Sequence, residues 1–398
     1  MSSEKWYWQE PFLFEGTARV LRGGVFQDQP TLTLDRSLFY PEGGGQLGDR
    51  GCISFGEIIR TVKDTQITDE GAIFVILDQP FSEDVGGRTV QMHVDEAWRR
   101  RQMSQHTGQH LLSRLLQEKY QAPTISARLG EHLFSVDVAS SLFTNEQIQA
   151  MEDELNRLIL EDRPIRAWFP TPEELAALPL RKQPSVDTQI RIIQVEGFDV
   201  TPCGGTHCTS TGQVGIVHIQ SVEKYKQLIR ITASAGLDAV RDFHAKEVIL
   251  QQSYTLLSAT SETLIPAIEA LQTRQADLEV RLKERTSQLA QQQAASILPI
   301  TTESGVVTKE LPEEDIEYAR TLVKELAKQH GVTAMVSCPT KEGIFVVLDR
   351  FEKSPIDIGA VLKEVLLSHG GKGGGSPMHA EGRGPDSTFL VALTQKLL

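Results

Sequence analysis

Two short motifs, each incomplete without the other, constrain this chain most. His106-Thr107-Gly108-Gln109-His110 reads H-x-x-x-H, and Cys203-Gly204-Gly205-Thr206-His207 reads C-x-x-x-H. Three imidazoles and one thiolate form a sound ligand set for one tetrahedral Zn²⁺, which favours nitrogen and sulfur donors. Within each motif the i,i+4 spacing lets both members face the same way on a helix or tight turn. A small zinc finger keeps its ligand pairs within about 12–20 residues. Here some ninety residues intervene, so a shared metal joins distant parts of a folded domain, as enzyme sites often do.

At 398 residues the chain has room for two or three domains. No run of eighteen apolar residues occurs, so no membrane span is expected. The first residues, Met1 to Trp8, lack an apolar signal core, which makes the cytoplasm the expected location. Cys52, Cys203, Cys208 and Cys338 are too scattered for a disulfide framework, and Cys208 reads as a small packed residue rather than a further ligand. A net charge of −13 disfavours broad, unspecific nucleic-acid binding. It leaves local basic patches: Arg99, Arg100 and Arg101 precede the first motif, and Lys224, Lys226 and Arg230 follow the second. Each reads either as solvated surface charge or, beside a metal, as a contact for an anionic substrate.

The fold class expected is α+β. Residues 1–92 read as a small β-barrel, with strands at Thr31–Leu34, Ile73–Leu77 and Thr89–Val94. Within it, Gly43, Gly44, Gly45 and Gln46 form either a tight turn or a loop that a nucleotide or RNA end approaches closely. Residues 93–243 read as an α+β zinc-containing core. Its first helix spans 95–120 with His106 and His110 on one stripe, a second runs from Asn145 to Glu161, and strands lie near 133–138, 190–196 and 214–222. Residues 244–297 continue a helical pattern whose 3-4 apolar seam suggests a hairpin or coiled-coil arm, with Pro266 opening its second helix. Residues 298–398 read as an α/β domain with helices at 313–329 and 356–368, a glycine loop at 370–376, the segment Ala380–Gly384 and a final strand, Phe389–Leu393. The loop is not a P-loop, since the order of G-x-x-x-x-G-K-[ST] fails. It is either a flexible turn or, with Lys372 and Arg383, a holder of RNA phosphate.

Taken together, the segments 106–112, 199–207, 40–46 and 124–130 resemble alanyl-tRNA editing proteins of the AlaX type, which are similar to the editing half of alanyl-tRNA synthetase. The resemblance covers nearly the whole chain. The helical segment and the glycine-rich final domain resemble the long AlaX form, which carries a DHH-associated domain. The resemblance implies trans-editing: hydrolysis of the ester in mischarged Ser-tRNA(Ala) or Gly-tRNA(Ala), with His106, His110, Cys203 and His207 around Zn²⁺. It implies tRNA(Ala) as partner and no aminoacylation, since no amino-acid-activating domain precedes the barrel. A homodimer through the helical arm or the C-terminal domain is also compatible with the seam.

Ester hydrolysis needs a water nucleophile and stabilisation of a tetrahedral oxyanion. Four protein ligands would close a tetrahedral site, so one ligand exchanges, the coordination expands, or the metal only positions substrate. Thr107 and Gln109 lie between the helical ligands, with Gln109 at the expected pocket rim. Ser126 and Thr206 are the candidates for the serine hydroxyl, and Arg230, Lys372 and Arg383 for the RNA. The competing readings are an RNA-binding protein with a purely structural zinc, an editing enzyme for another tRNA such as Ser-tRNA(Thr), and a zinc hydrolase of small esters.

Overall fold

The computed structural model describes residues 2–184, 188–297, 305–351 and 356–398. The chain divides into two compact units, Met1–Gln251 and Gln252–Leu398. The finer boundaries at 92, 243 and 297 remain a proposal, and the last of these abuts residues outside the described ones.

In the first unit, six strands close into a barrel in the order Glu15–Phe26, Gln29–Leu34, Ile73–Leu77, Ile58–Ile67, Gly51–Phe55 and Thr89–Val94. Alternation sends Val20, Leu34, Ile53, Val75 and Met92 into its interior. The barrel hands the chain directly to the helix Glu96–Tyr120, capped by Asp95, whose side chain accepts from Trp98 N–H. That helix packs on a four-stranded antiparallel sheet ordered Val217–Tyr225, Leu228–Ala235, Phe134–Val138 and Thr124–Leu129. The helix Asn145–Leu160, held by a capping box at Thr144 and Gln147, covers the same core. A three-stranded antiparallel sheet, Ile165–Trp168, Ile192–Val195 and Asp199–Pro202, leads into the C-x-x-x-H segment.

Barrel and core are joined by buried polar contacts. Asp49 pairs with Arg99, both side chains being fully buried, and Arg99 also donates to the carbonyls of Pro11 and Leu38. Trp98 Nε1 donates to the Gly48 carbonyl at 3.0 Å. The expected basic patch at Arg99–Arg101 is therefore not one. Arg99 is structural, Arg100 pairs with Glu96, and Arg101 pairs with Asp238.

The predicted helical segment is two helices, Leu237–Leu257 and Leu264–Ser296, with Pro266 in the first turn of the second, where its missing N–H costs no bond. In the second unit, Ala290 and Ala294 of the longer helix pack on the helix Ile316–His330. Its seam residues Leu271, Leu278, Leu282 and Leu289 are exposed. A five-stranded sheet follows, ordered Val306–Glu310, Thr333–Thr340, Gly343–Arg350, His379–Gly384 and Lys372–Gly375, parallel only in its first pair.

Two expectations for this unit are corrected. The final apolar run is a helix, Thr388–Leu397, not a strand. Phe389, Leu390, Leu393 and Leu397 are buried while Val391 is 62% exposed, a helical stripe too short to be told from a strand by pattern alone. The glycine stretch is not a loop either: Lys372–Gly375 is an edge strand paired with His379–Gly384. A Cβ on Gly373 would lie 2.5 Å from Leu366 Cδ1, and one on Gly382 2.3 Å from the same atom. The glycines let the helix Ile358–Ser368 settle onto bare backbone.

Candidate metal centre

The helix Glu96–Tyr120 carries His106 and His110 one turn apart on its buried face, and the segment after Pro202 brings Cys203 and His207 against them. One donor atom from each of the four lies within 4.8 Å of the others. Cys203 Sγ stands 3.4 Å from His106 Nε2 and 3.3 Å from His207 Nε2. The three imidazole centroids are 4.2–4.9 Å apart. Among the described residues no Asp or Glu joins the cluster.

The surrounding contacts aim these donors. Gln46 is fully buried, and its Oε1 accepts from the Thr206 backbone N–H at 3.0 Å while its Nε2 donates to Thr206 Oγ1 at 2.8 Å. That backbone N–H fixes which end of the amide is oxygen. His106 Nδ1, 2.8 Å from the same Oε1, must therefore be a protonated nitrogen, and its Nε2 faces Cys203 Sγ. Thr107 Oγ1 lies 3.2 Å from His207 Nδ1 and accepts from the Cys208 N–H at 3.1 Å. Arg191 donates to the carbonyls of Cys203 (3.2 Å) and Gly205 (2.8 Å), pinning the segment from below. Trp8 Nε1 donates to the Gly204 carbonyl at 2.6 Å.

Two glycine sites are dictated by this crowding. A Cβ on Gly205 would lie 2.2 Å from His106 Cε1 and 2.7 Å from Gln46 Oε1. Gly44 and Gly45 take φ of +58° and +88°, turning the chain so that Gly43 and Gln46 pair and Gln46 enters the cluster. A Cβ on Gly45 would meet the Ala127 carbonyl at 2.9 Å, and Gly45 O accepts from Leu129 N–H at 2.8 Å. The glycine turn is thus packed onto the edge of the sheet.

The electrostatics suit a metal ligand set. Burial pushes the Cys203 thiol up, but the three imidazoles beside it overturn this and hold it well below its ordinary value. Burial, then the neighbouring His207, holds His110 well below the usual imidazole range, and burial with His106 brings His207 down to about 4. His110 Nδ1 is buried without a hydrogen-bond partner among the described residues. Three imidazoles and a thiol whose ionisation they favour, with one donor atom from each within 4.8 Å of the others, fit a divalent metal that prefers nitrogen and sulfur. Cys208 is outside the set: it is a core residue whose thiol burial pushes up to about 11.

The other expected site residues fall into distinct places. Gln46 and Thr107 contact the donor histidines directly, and Thr206 is bonded to Gln46 by both its hydroxyl and its backbone N–H. Gln109 Nε2 donates to Ser113 Oγ at 2.7 Å, which also accepts from Thr124 Oγ1 at 2.9 Å. Ser126 Oγ donates to Asp137 Oδ2 at 2.6 Å, and Asp137 is held in two bonds by Arg230. Ser126, Asp137 and Arg230 are cross-strand neighbours. Alternation puts them opposite Phe134, Val136 and Ile231, which pack in the core with the histidine helix. Ser126 and Arg230 thus form a sheet-face ion-pair network on the side away from the histidine helix; their expected contacts with the serine hydroxyl and the RNA stay proposals. In the second unit Lys372 and Arg383 are paired across the glycine strands, and Arg383 is bound by Glu342. Sequence reasoning missed Trp8, Arg191 and Ser113 and gave Thr124 no role beyond opening the segment 124–130; Trp8 and Arg191 had no motif to mark them, because their partners are backbone carbonyls.

Residues 190–232 match the family model described as the threonyl and alanyl tRNA synthetase second additional domain, and residues 303–397 match the DHHA1 domain. The chain is 32% identical to the alanyl-tRNA editing protein AlaX-L of Pyrococcus horikoshii, over 98% of this chain and 97% of that protein. It is 31% identical to the alanine–tRNA ligase of Methanosarcina acetivorans and 27% identical to that of Ignicoccus hospitalis, over 96% and 98% of this chain. It spans 42% of the length of each ligase.

Proposed function

Since this chain belongs to the AlaX family of alanyl-tRNA editing proteins, which are deacylases, we propose that it is a trans-editing hydrolase. Its substrate is Ser-tRNA(Ala), with Gly-tRNA(Ala) as the second candidate, and His106, His110, Cys203 and His207 hold Zn²⁺. The observation that carries this reading is the convergence of four donors from two distant segments, with His106 backed by Gln46 and His207 by Thr107. Bound zinc would supply electrophilic polarisation and a firm anchor for substrate or water. The chain's own residues do the rest. Gln46 and Thr107 hold two imidazoles in orientation, and Arg191 fixes the two carbonyls that flank Gly204. Cys203 is partly exposed while the three histidines are buried, so substrate meets the cluster on the Cys203–Gly204 side.

Water adds to the ester carbonyl, the acyl C–O bond breaks, and the ribose oxygen leaves with a proton. Free amino acid and uncharged tRNA(Ala) result, and aminoacylation is not part of the proposal. We place the protein in the cytoplasm; among the described residues no helix is long and apolar enough to cross a membrane. The exposed seam of the helix Leu264–Ser296 supports pairing of that helix with a second copy.

One observation favours a second reading. Four protein donors would complete the shell of a tetrahedral zinc, as in structural zinc sites. In that reading the protein binds tRNA without cleaving it. Deacylation of Ser-tRNA(Ala), Gly-tRNA(Ala), Ala-tRNA(Ala) and Ser-tRNA(Thr) side by side decides. Selective loss of serine or glycine from tRNA(Ala) supports editing, and a zinc-loaded protein that cleaves none of them supports the structural metal.

A further inference from the structure

The solvent-facing side of the donor cluster is flanked by aromatic rings that the hydrolysis itself does not use. Trp8 is locked to the Gly204 carbonyl, and its Cζ2 is 3.8 Å from the Cβ position of Gly204. Gly204 is exposed and follows the partly exposed donor Cys203. Phe169, at the end of the strand Ile165–Trp168, leans on Trp8 with centroids 5.3 Å apart and planes at 57°. Phe169 is 49% exposed. Lys5 places its ammonium 4.2 Å from the Trp8 ring centroid, and burial lowers its pKa.

An exposed phenylalanine alone is unremarkable. This one is braced by a tryptophan whose polar end is tied to the loop bearing a donor, beside a cation. Resting on the editing reading, the scissile ester sits on the ribose of the last nucleotide, so the base of that nucleotide is one sugar away from the donor cluster. We propose that Phe169, backed by Trp8, is the stacking platform for the 3′-terminal nucleobase of the tRNA, with Lys5 facing the phosphate that joins that nucleotide to the chain. Aromatic rings stack any base face without reading its edge, and a lysine beside them answers the backbone charge. The platform therefore holds the end of the acceptor strand while the amino acid reaches the metal side. It works as a binding element, and it acts on substrate affinity rather than on the bond-breaking step.

The test uses the full chain and two RNA minihelices of the alanine acceptor stem. One ends in an intact terminal adenosine, and the other carries an abasic sugar at that position. Binding of both uncharged RNAs is measured for wild type, Phe169→Ala, Phe169→Leu and Trp8→Phe, with zinc content determined in each. Loss of one base stack corresponds to about five- to 150-fold in affinity. The expected result is that wild type binds the intact RNA tighter by a factor in that range. Phe169→Ala should close the gap, Phe169→Leu should close most of it, and zinc should be unchanged in both. Trp8→Phe, which keeps a ring and loses the bond to Gly204, should retain most of the gap. Equal affinity of wild type for the two RNAs, or an undiminished gap in Phe169→Ala, overturns the proposal. Because binding is read without cleavage, a wild type that discriminates the base but hydrolyses no ester would sink the editing reading and leave the platform standing. With serylated minihelices, Phe169→Ala should raise KM and leave kcat near the wild-type value; a fall in kcat alone contradicts a binding role.

Discussion

Gly204 and Gly205 are neighbours in sequence, yet replacing each by alanine should have opposite consequences. At Gly204 an added Cβ meets only Trp8 Cζ2 at 3.8 Å, an ordinary contact, and no positive φ stands in the way. At Gly205 the added Cβ lies 2.2 Å from His106 Cε1, 2.5 Å from its Nδ1 and 2.7 Å from Gln46 Oε1. Ordinary contact begins at 3.4 Å, so the imidazole or the loop must retreat by 1.2 Å. Neither has room. The imidazole is tied to Gln46, and the loop is tied to Arg191 at two carbonyls. Metal sites tolerate donor displacements of only about 0.2 Å, and loss of a supporting contact alone costs about 10–100-fold in metal affinity. Gly205→Ala should therefore weaken zinc binding at least about 100-fold, at the upper end of that range or beyond. Overpacking should cost about 1–3 kcal/mol of stability besides. Gly204→Ala should stay within about twofold of wild type for zinc. Competition with a calibrated chromophoric chelator, run beside urea unfolding, reads both quantities. Wild-type zinc affinity in Gly205→Ala would refute the claim that close packing of His106 on this loop sets the donor geometry.

Further outcomes follow from the same contacts. Asp49→Asn leaves the fully buried Arg99 guanidinium without its counter-charge and should destabilise the first unit by about 3–5 kcal/mol in urea unfolding; a loss under 1 kcal/mol would contradict the pairing. Thr107→Val removes the hydroxyl beside His207 Nδ1 and should lower zinc affinity about 10–100-fold with little change in KM; zinc affinity equal to wild type would count against that role. Ser126→Ala should leave the preference for seryl over alanyl ester unchanged, since that hydroxyl is engaged by Asp137; a shifted preference would return Ser126 to the pocket. Hydrogen bonding from Arg230 holds the Asp137 carboxyl below its ordinary 3.8. The stability this contributes is present above that pH and lost as pH falls through the lower folded value. Arg230→Met should flatten that acid limb in urea unfolding below about pH 5, and an unchanged slope would contradict the ion pair.

The donor set was legible in the sequence because i,i+4 spacing survives folding: a helix turn or tight turn keeps both members on one side wherever the segment ends up. The barrel and the histidine helix were legible for a similar reason, since alternation and 3.6-residue periodicity are local. What was hidden is non-local. Gln46 sits sixty residues from His106, and nothing near it in sequence shows that its glycine turn inserts it beside a ligand. Arg191 and Trp8 act on carbonyl oxygens, which every residue carries. The glycines at 373 and 382 reflect contact with Leu366, so their role appears only when the helix is placed on the sheet. Arg99 and Arg230 looked like free cations because the carboxylates that hold them, Asp49 and Asp137, are fifty and more residues away in sequence.

The measurement that bears most directly on the central claim is serine release from Ser-tRNA(Ala) by wild type and Cys203→Ala, with zinc quantified in the same samples and Ala-tRNA(Ala) as the comparison substrate. The account expects wild type to carry one zinc per chain and to release serine far faster than alanine, and Cys203→Ala to lose both the metal and the activity while remaining folded. A zinc-loaded wild type that releases no serine, or a zinc-free Cys203→Ala that releases it at the wild-type rate, would contradict it.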